Sequence, residues 1–155
     1  MKPQSAHRRG VFAALQRMAL CLTALSPVAA PSVAAAQQAG LYTTEQAERG
    51  YSIYRAECST CHSADLRGAG GVPLVGDNFL GAWVKPGRSV DDLFYILKTT
   101  MPPGRSRDLS DAQHADVLAY ILQKNGFASG DRELGSDPAV MAGALADYSL
   151  VALEE

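Results

Sequence analysis

The run Cys58-Ser59-Thr60-Cys61-His62 constrains this chain more than any other stretch. It places two thiols two residues apart on a single turn, with an imidazole directly after them. Each thiol of such a pair adds to one vinyl group of a haem, and the histidine meets the iron from the proximal side. Two other chemistries use Cys-x-x-Cys. A redox-active pair of the thioredoxin kind needs a βαβ pattern around it, and structural zinc needs two further ligands at matching spacing. Neither is present, and the third cysteine, Cys21, lies in a segment expected to be removed. One haem c, held through Cys58 and Cys61, is therefore the first expectation.

Residues 1–36 read as that segment. Lys2, Arg8, Arg9 and Arg17 make a basic start, Met18 to Ala30 is nearly all apolar, and Ala34-Ala35-Ala36 offers a small-residue cleavage site before Gln37. These are the parts of a secretory signal peptide. Pro27 and Pro31 interrupt the apolar run, which is short against the roughly 20 residues of a bilayer span, so an uncleaved anchor is the lesser reading. Arg8-Arg9 resembles a twin-arginine signal, but that route carries folded proteins, whereas haem attachment needs accessible thiols. Leu20 stands where a lipoprotein cysteine would need a small neighbour. The general secretory route and a periplasmic location follow.

Cleavage would leave 119 residues, the size of one small domain, with 16 acidic residues against 10 basic ones. A net charge of −6 argues against nucleic acid and fits a soluble protein whose partners are neutral or basic at the contact. A buried haem would supplement the core that so short a chain can build.

The helix signals come in order. Thr43 or Thr44 caps a helix over 45–57, with Gln46 in capping-box position and Ala47, Tyr51 and Tyr54 as its buried stripe. Gly50 sits inside it at a cost of about 1 kcal/mol against alanine, either for close contact with another helix or as tolerated weakness. Residues 63–86, rich in glycine, read as a long loop that must wrap something, and a haem edge is the candidate. Within it Pro73 either stiffens a turn or aims its carbonyl at the Nδ1–H of His62. Ser89 starts a helix with Leu93, Phe94, Ile96 and Leu97 as its apolar side, ending by Thr100 because Pro102 and Pro103 cannot continue it. Ser110 and Gln113 box the start of another, running through Val117, Leu118, Tyr120, Ile121 and Leu122 to Asn125-Gly126. Beyond Phe127, Asp137 caps a weak helix from Pro138 to about Glu154, in a tail that packs on the domain, binds a partner or stays mobile. No strand pattern is convincing, so the fold class is all-α.

Met101, between a helix end and two prolines, is the favoured ligand for the second face of the iron, where a thioether stabilises the reduced state. Core filling is the usual role of a methionine, but Met141, in an alanine-rich stretch, is the only other one after the haem motif. His114, expected on a solvated helix face, and an open site are the alternatives.

Taken together these residues resemble a class I c-type cytochrome of the small bacterial kind over residues 43–126. The likeness rests on Gly50-x-x-x-Tyr54-x-x-x-Cys58-x-x-Cys61-His62, Gly71-Val72-Pro73-Leu74, Thr100-Met101-Pro102 and Ala119-Tyr120-Ile121-Leu122. It implies a cytochrome c fold with three to four core helices wrapped by loops around one covalently bound haem. Gly50 and Tyr54 would cross the last core helix near Tyr120. It also implies His62 and Met101 as axial ligands, Pro73 as the carbonyl partner of His62, and Trp83 either hydrogen-bonding a propionate or packing on the haem. Arg67, Lys85 and Arg88 are weaker propionate candidates. Leu109 to Leu134, with Asn125-Gly126-Phe127 and Arg132-Glu133-Leu134, is further similar to cytochromes that accept electrons from periplasmic quinoprotein alcohol dehydrogenases.

The expectation is thus a cleaved signal over 1–36, a cytochrome c domain over 37–134 and an extension over 135–155. The domain would carry single electrons from a periplasmic dehydrogenase to an oxidase or another cytochrome through short-lived contacts, without catalytic residues. An open-site haem enzyme or sensor, and an obligate dehydrogenase subunit, are the other readings.

Overall fold

Helix α1 spans Thr44–Glu57. It starts where the sequence places it, with Thr43 Oγ1 accepting the backbone N–H of Gln46 at 3.1 Å. The computed structural model describes residues 40–135 and 137–148. The expected signal peptide lies outside the described residues, as does the end of the tail from 149 onward. After α1 come α2 (Ser59–His62), α3 (Asp77–Trp83), α4 (Val90–Thr100), α5 (Asp111–Lys124) and α6 (Pro138–Ala142), with 3₁₀ turns at Ser106–Asp108 and Leu145–Asp147. No strand occurs among the described residues, only isolated bridges between Tyr42 and Ser129 and between Ser89 and Ala144.

Helix α5 is the centre of the fold. Every residue from His114 to Leu122 is buried, so it is enclosed on all sides where the sequence pattern led us to expect one apolar stripe. Its start is the expected capping box, with Ser110 and Gln113 each bonding the other's backbone N–H. Helix α1 crosses it at Gly50. A Cβ built on Gly50 would stand 1.8 Å from the carbonyl oxygen of Asp116 and 3.1 Å from Tyr120 Cβ, so the glycine serves a close backbone approach. The Tyr120 ring lies 5.3 Å, centroid to centroid, from Tyr54 and 5.3 Å from Tyr51. Arg49 clamps the crossing with two bonds to Asp116, at 3.0 and 2.9 Å, and a third to Glu133 at 2.8 Å. The stripe of α1 runs through Ala47, Gly50 and Tyr54. Tyr51, expected in it, is 43% exposed because the contact with α5 is made one residue earlier, at Gly50.

Helix α4 is capped by a reciprocal box between Ser89 and Asp92 and ends at Met101, as the prolines require. It buries Leu93 and Phe94, whereas Ile96, expected inside, is 41% exposed. The stretch read as one long loop contains α3. Gly76 at its start and Gly81 within it mask the helical pattern, and buried Phe79 anchors it.

The tail packs on the domain. Val90 N–H donates to the Gly143 carbonyl at 2.9 Å, and Met141 and Leu145 join the core. It is no continuous helix: α6 stops after five residues, and Gly143 takes up extended backbone to pair with the start of α4. At the other end of the described chain, Gly130 N–H donates to the Tyr42 carbonyl at 2.7 Å. Gln46 exchanges two hydrogen bonds with the backbone of Leu134, at 3.2 and 2.7 Å. The segment after α5 is thereby tied back to α1.

Candidate functional site

Cys58 caps the C-terminus of α1, its N–H donating to Tyr54 O at 2.9 Å. The chain then closes one tight turn, with the N–H groups of Cys61 and His62 both directed at Cys58 O, at 3.2 and 3.0 Å. The two thiols are free, Cys58 half-buried and Cys61 exposed. Burial, helped by Glu57 and Cys61, pushes the Cys58 thiol up to about 11. A thiol held up in this way supplies little thiolate at neutral pH, so Cys58 is not placed as an attacking nucleophile.

His62 is buried, at 8% exposure. Its Nδ1 lies 2.8 Å from the carbonyl oxygen of Val72, and Nε2 makes no hydrogen bond among the described residues. The expectation that Pro73 supplies this carbonyl is corrected by one residue. A proline holds the residue before it in extended backbone, so Pro73 constrains the geometry while Val72 provides the oxygen. Gly71 lies against the ring: a Cβ there would come within 2.7 Å of Cε1 and 2.8 Å of Nδ1. The loop is sewn to the turn beneath it. The N–H groups of Ala69, Gly70 and Gly71 converge on Cys61 O at 3.0, 3.0 and 2.8 Å, and Gly68 N–H donates to His62 O at 3.0 Å. Leu66, fully buried with φ +63°, accepts from Leu74 N–H at 2.7 Å and closes the loop.

Met101 lies at the end of α4, its N–H donating to Leu97 O at 3.0 Å. His114, expected on a solvated face, is 1% exposed. The three residues before it in α5 are exposed, and burial of the helix begins with this ring: Nε2 lies 3.0 Å from Met101 O and Nδ1 3.0 Å from Ser110 O. Arg105, further along the loop after Met101, pairs with Glu57 beside the cysteine turn.

Trp83 is half-buried at the end of α3, and the Arg88 guanidinium lies over its ring, 5.1 Å from the centroid. The structure thus joins two of the propionate candidates, while Arg67 approaches Asp65 at 3.8 Å. Leu74, Val75, Leu80, Trp83, Val84 and Leu97 are only partly buried against the core, the kind of apolar surface that a macrocycle covers.

Three residues of this site went unread in the sequence. Val72 was signalled only by the proline after it. Gly71 was read within a motif but not as a ring contact. Asn125 was read as a helix stop, yet its buried amide donates to Leu74 O and Ile121 O, both at 2.8 Å, and its oxygen accepts from Gly76 N–H at 3.1 Å. This side chain fastens the loop after His62 to α5.

The residues present fit a haem: two unlinked thiols on one turn, an imidazole oriented through Nδ1 with Nε2 left over, and partly buried apolar side chains on the following loop, α3 and α4, with Met101 at the end of α4. An all-α domain with these donors defines the class I type of haem-binding electron-transfer domain. The family model described as cytochrome c oxidase, cbb3-type, subunit III, a c-type cytochrome domain, matches residues 45–121, from the first turn of α1 into the last turn of α5. The chain belongs to the class I c-type cytochromes. Neither a search of curated proteins nor a search of solved structures returned a significant match.

Proposed function

We propose that the chain is a periplasmic one-electron carrier, with one haem c bound through Cys58 and Cys61 and ligated axially by His62 and Met101. The observation that carries this reading is the 2.8 Å contact of His62 Nδ1 with Val72 O, made beside two free thiols. A bond at Nδ1 selects the tautomer with Nε2 open for a metal and raises the basicity of the ligand. The haem supplies a reversible one-electron couple, and thioether ligation favours its reduced state. The protein's part is to hold the ligands on separate, braced elements and to keep substrates off the iron. Trp83 and Arg88 form the pair that would meet a propionate. The basic, apolar and cleavable character of residues 1–36 supports export and signal removal. The donor in this reading is a periplasmic dehydrogenase and the acceptor an oxidase or a second cytochrome.

The test is an optical spectrum of the haem-loaded, exported protein. The expected result is the near-infrared band of sulfur-ligated ferric iron, abolished in Met101→Ala, with no carbon monoxide binding by the reduced wild type at neutral pH. A high-spin ferric wild type that binds carbon monoxide would replace this reading with an open-site enzyme or sensor. The matched family's description favours a second reading, a cytochrome subunit of a larger respiratory complex. Stable copurification with other chains would support it.

A further inference from the structure

We propose that His114 is the positioning residue for Met101: its imidazole fixes the Met101 carbonyl and thereby the direction in which the thioether is presented. The inference rests on Met101 being the second axial ligand. Among the described residues Met101 O accepts no hydrogen bond except from His114 Nε2, at 3.0 Å. The other carbonyl beside the ring, Ser110 O, already accepts the backbone N–H of His114 at 3.0 Å. A neutral imidazole has one proton to give. Spent on Nε2, it satisfies the carbonyl that has no other donor; spent on Nδ1, it leaves that carbonyl orphaned.

The two partners differ in how firmly they are held. His114 is the fourth residue of α5 and 1% exposed, on a helix buried from that residue to Leu122 and clamped to α1 through Asp116. Met101 sits where α4 has just ended, held on its N-terminal side by one bond to Leu97 and followed by a loop whose tie to α1 is Arg105 with Glu57. The imidazole therefore passes the rigidity of the central helix to a ligand that its own helix only half restrains. Burying a polar ring costs desolvation that an apolar residue would avoid, and among the described residues the one hydrogen bond the ring makes beyond its own helical turn is the one to Met101.

The experiment uses haem-loaded wild type, His114→Phe, His114→Gln and Met101→Ala, reading the near-infrared band, the reduction potential and imidazole affinity for the ferric protein. His114→Phe should weaken the band, lower the potential and bind imidazole about tenfold more tightly, the equivalent of one net hydrogen bond. His114→Gln, whose amide can donate to the same carbonyl, should restore most of all three. Should His114→Phe keep the wild-type band and imidazole affinity while Met101→Ala loses the band, the positioning role fails and the ligand assignment survives. A wild type without the band removes the ligand assignment and this inference with it. If His114→Phe does not fold, nitrogen-15 NMR of the loaded wild type decides. A proton on Nε2 in slow exchange, coupled to the Met101 carbonyl, supports the role, and an unprotonated Nε2 overturns it.

Discussion

Gly50→Ala tests the closest contact in the fold. A methyl group at this position would stand 1.8 Å from the Asp116 carbonyl oxygen, whereas a carbon and a carbonyl oxygen in close contact sit about 3.3–3.6 Å apart. The helices would have to part by about 1.5 Å. They are held together there by the Arg49 clamp on Asp116 and by the Tyr54–Tyr120 contact. Overpacking of this kind costs about 1–3 kcal/mol, and the obstacle here is backbone, which puts the cost at the upper end. Against it stands a gain of about 1 kcal/mol from replacing a mid-helix glycine with alanine. The net expectation is a loss of about 2 kcal/mol, or a fall of about 10 °C in Tm for a domain of this size. Gly81→Ala is the internal control: it lies within α3, and no atom comes within 4 Å of its built Cβ. That variant should be neutral or gain up to about 1 kcal/mol. Guanidinium unfolding of the haem-loaded proteins, followed by far-ultraviolet circular dichroism, measures both. A Gly50→Ala protein as stable as wild type would refute the reasoning, because it would mean the crossing can open at no cost.

Two further outcomes follow from the site and the tail. Gly71→Ala should push the His62 ring off the Val72 carbonyl, since the new methyl would lie 2.7–2.8 Å from the ring; losing that bond makes the imidazole less basic and should raise the reduction potential, and an unchanged potential would count against the ring contact. Deleting residues 135–155 strips Met141 and Leu145 from the core. Burial of one such side chain contributes about 1.5–3 kcal/mol, so a loss of about 3 kcal/mol or more is expected in guanidinium unfolding, and an unchanged midpoint would show that the tail is not part of the fold. A wild type that does not copurify with a dehydrogenase is a free carrier; where it does copurify, loss of that association in the same variant would place the subunit interface on the tail, and retention would place it elsewhere on the domain.

What could be read in the sequence were features written in neighbouring residues. The Cys58–His62 turn is covalent chemistry at fixed spacing, and the caps at Thr43, Ser89 and Ser110 act over three residues. The end of α4 at Met101 follows from the prolines behind it. Where the reading failed, the deciding partner was distant along the chain. Tyr51 and Gly50 are adjacent, and only the approach of Asp116 chooses which of them faces α5. The helix over Asp77–Trp83 is hidden because Gly76 before it and Gly81 within it read as turn formers, while buried Phe79 holds it in place.

The amino-acid sequence by itself determined the class of cofactor chemistry, the all-α architecture and the ends of α1, α4 and α5, because thiol spacing, capping and proline geometry act locally. Tertiary structure alone decided that Val72 provides the carbonyl for His62, that Asn125 fastens the loop behind it, and that His114 turns inward to the Met101 carbonyl. The physical reason is the same in each case. A hydrogen bond is specified by where two groups meet in space, and for these pairs the meeting is set by how the loops and helices pack around α5.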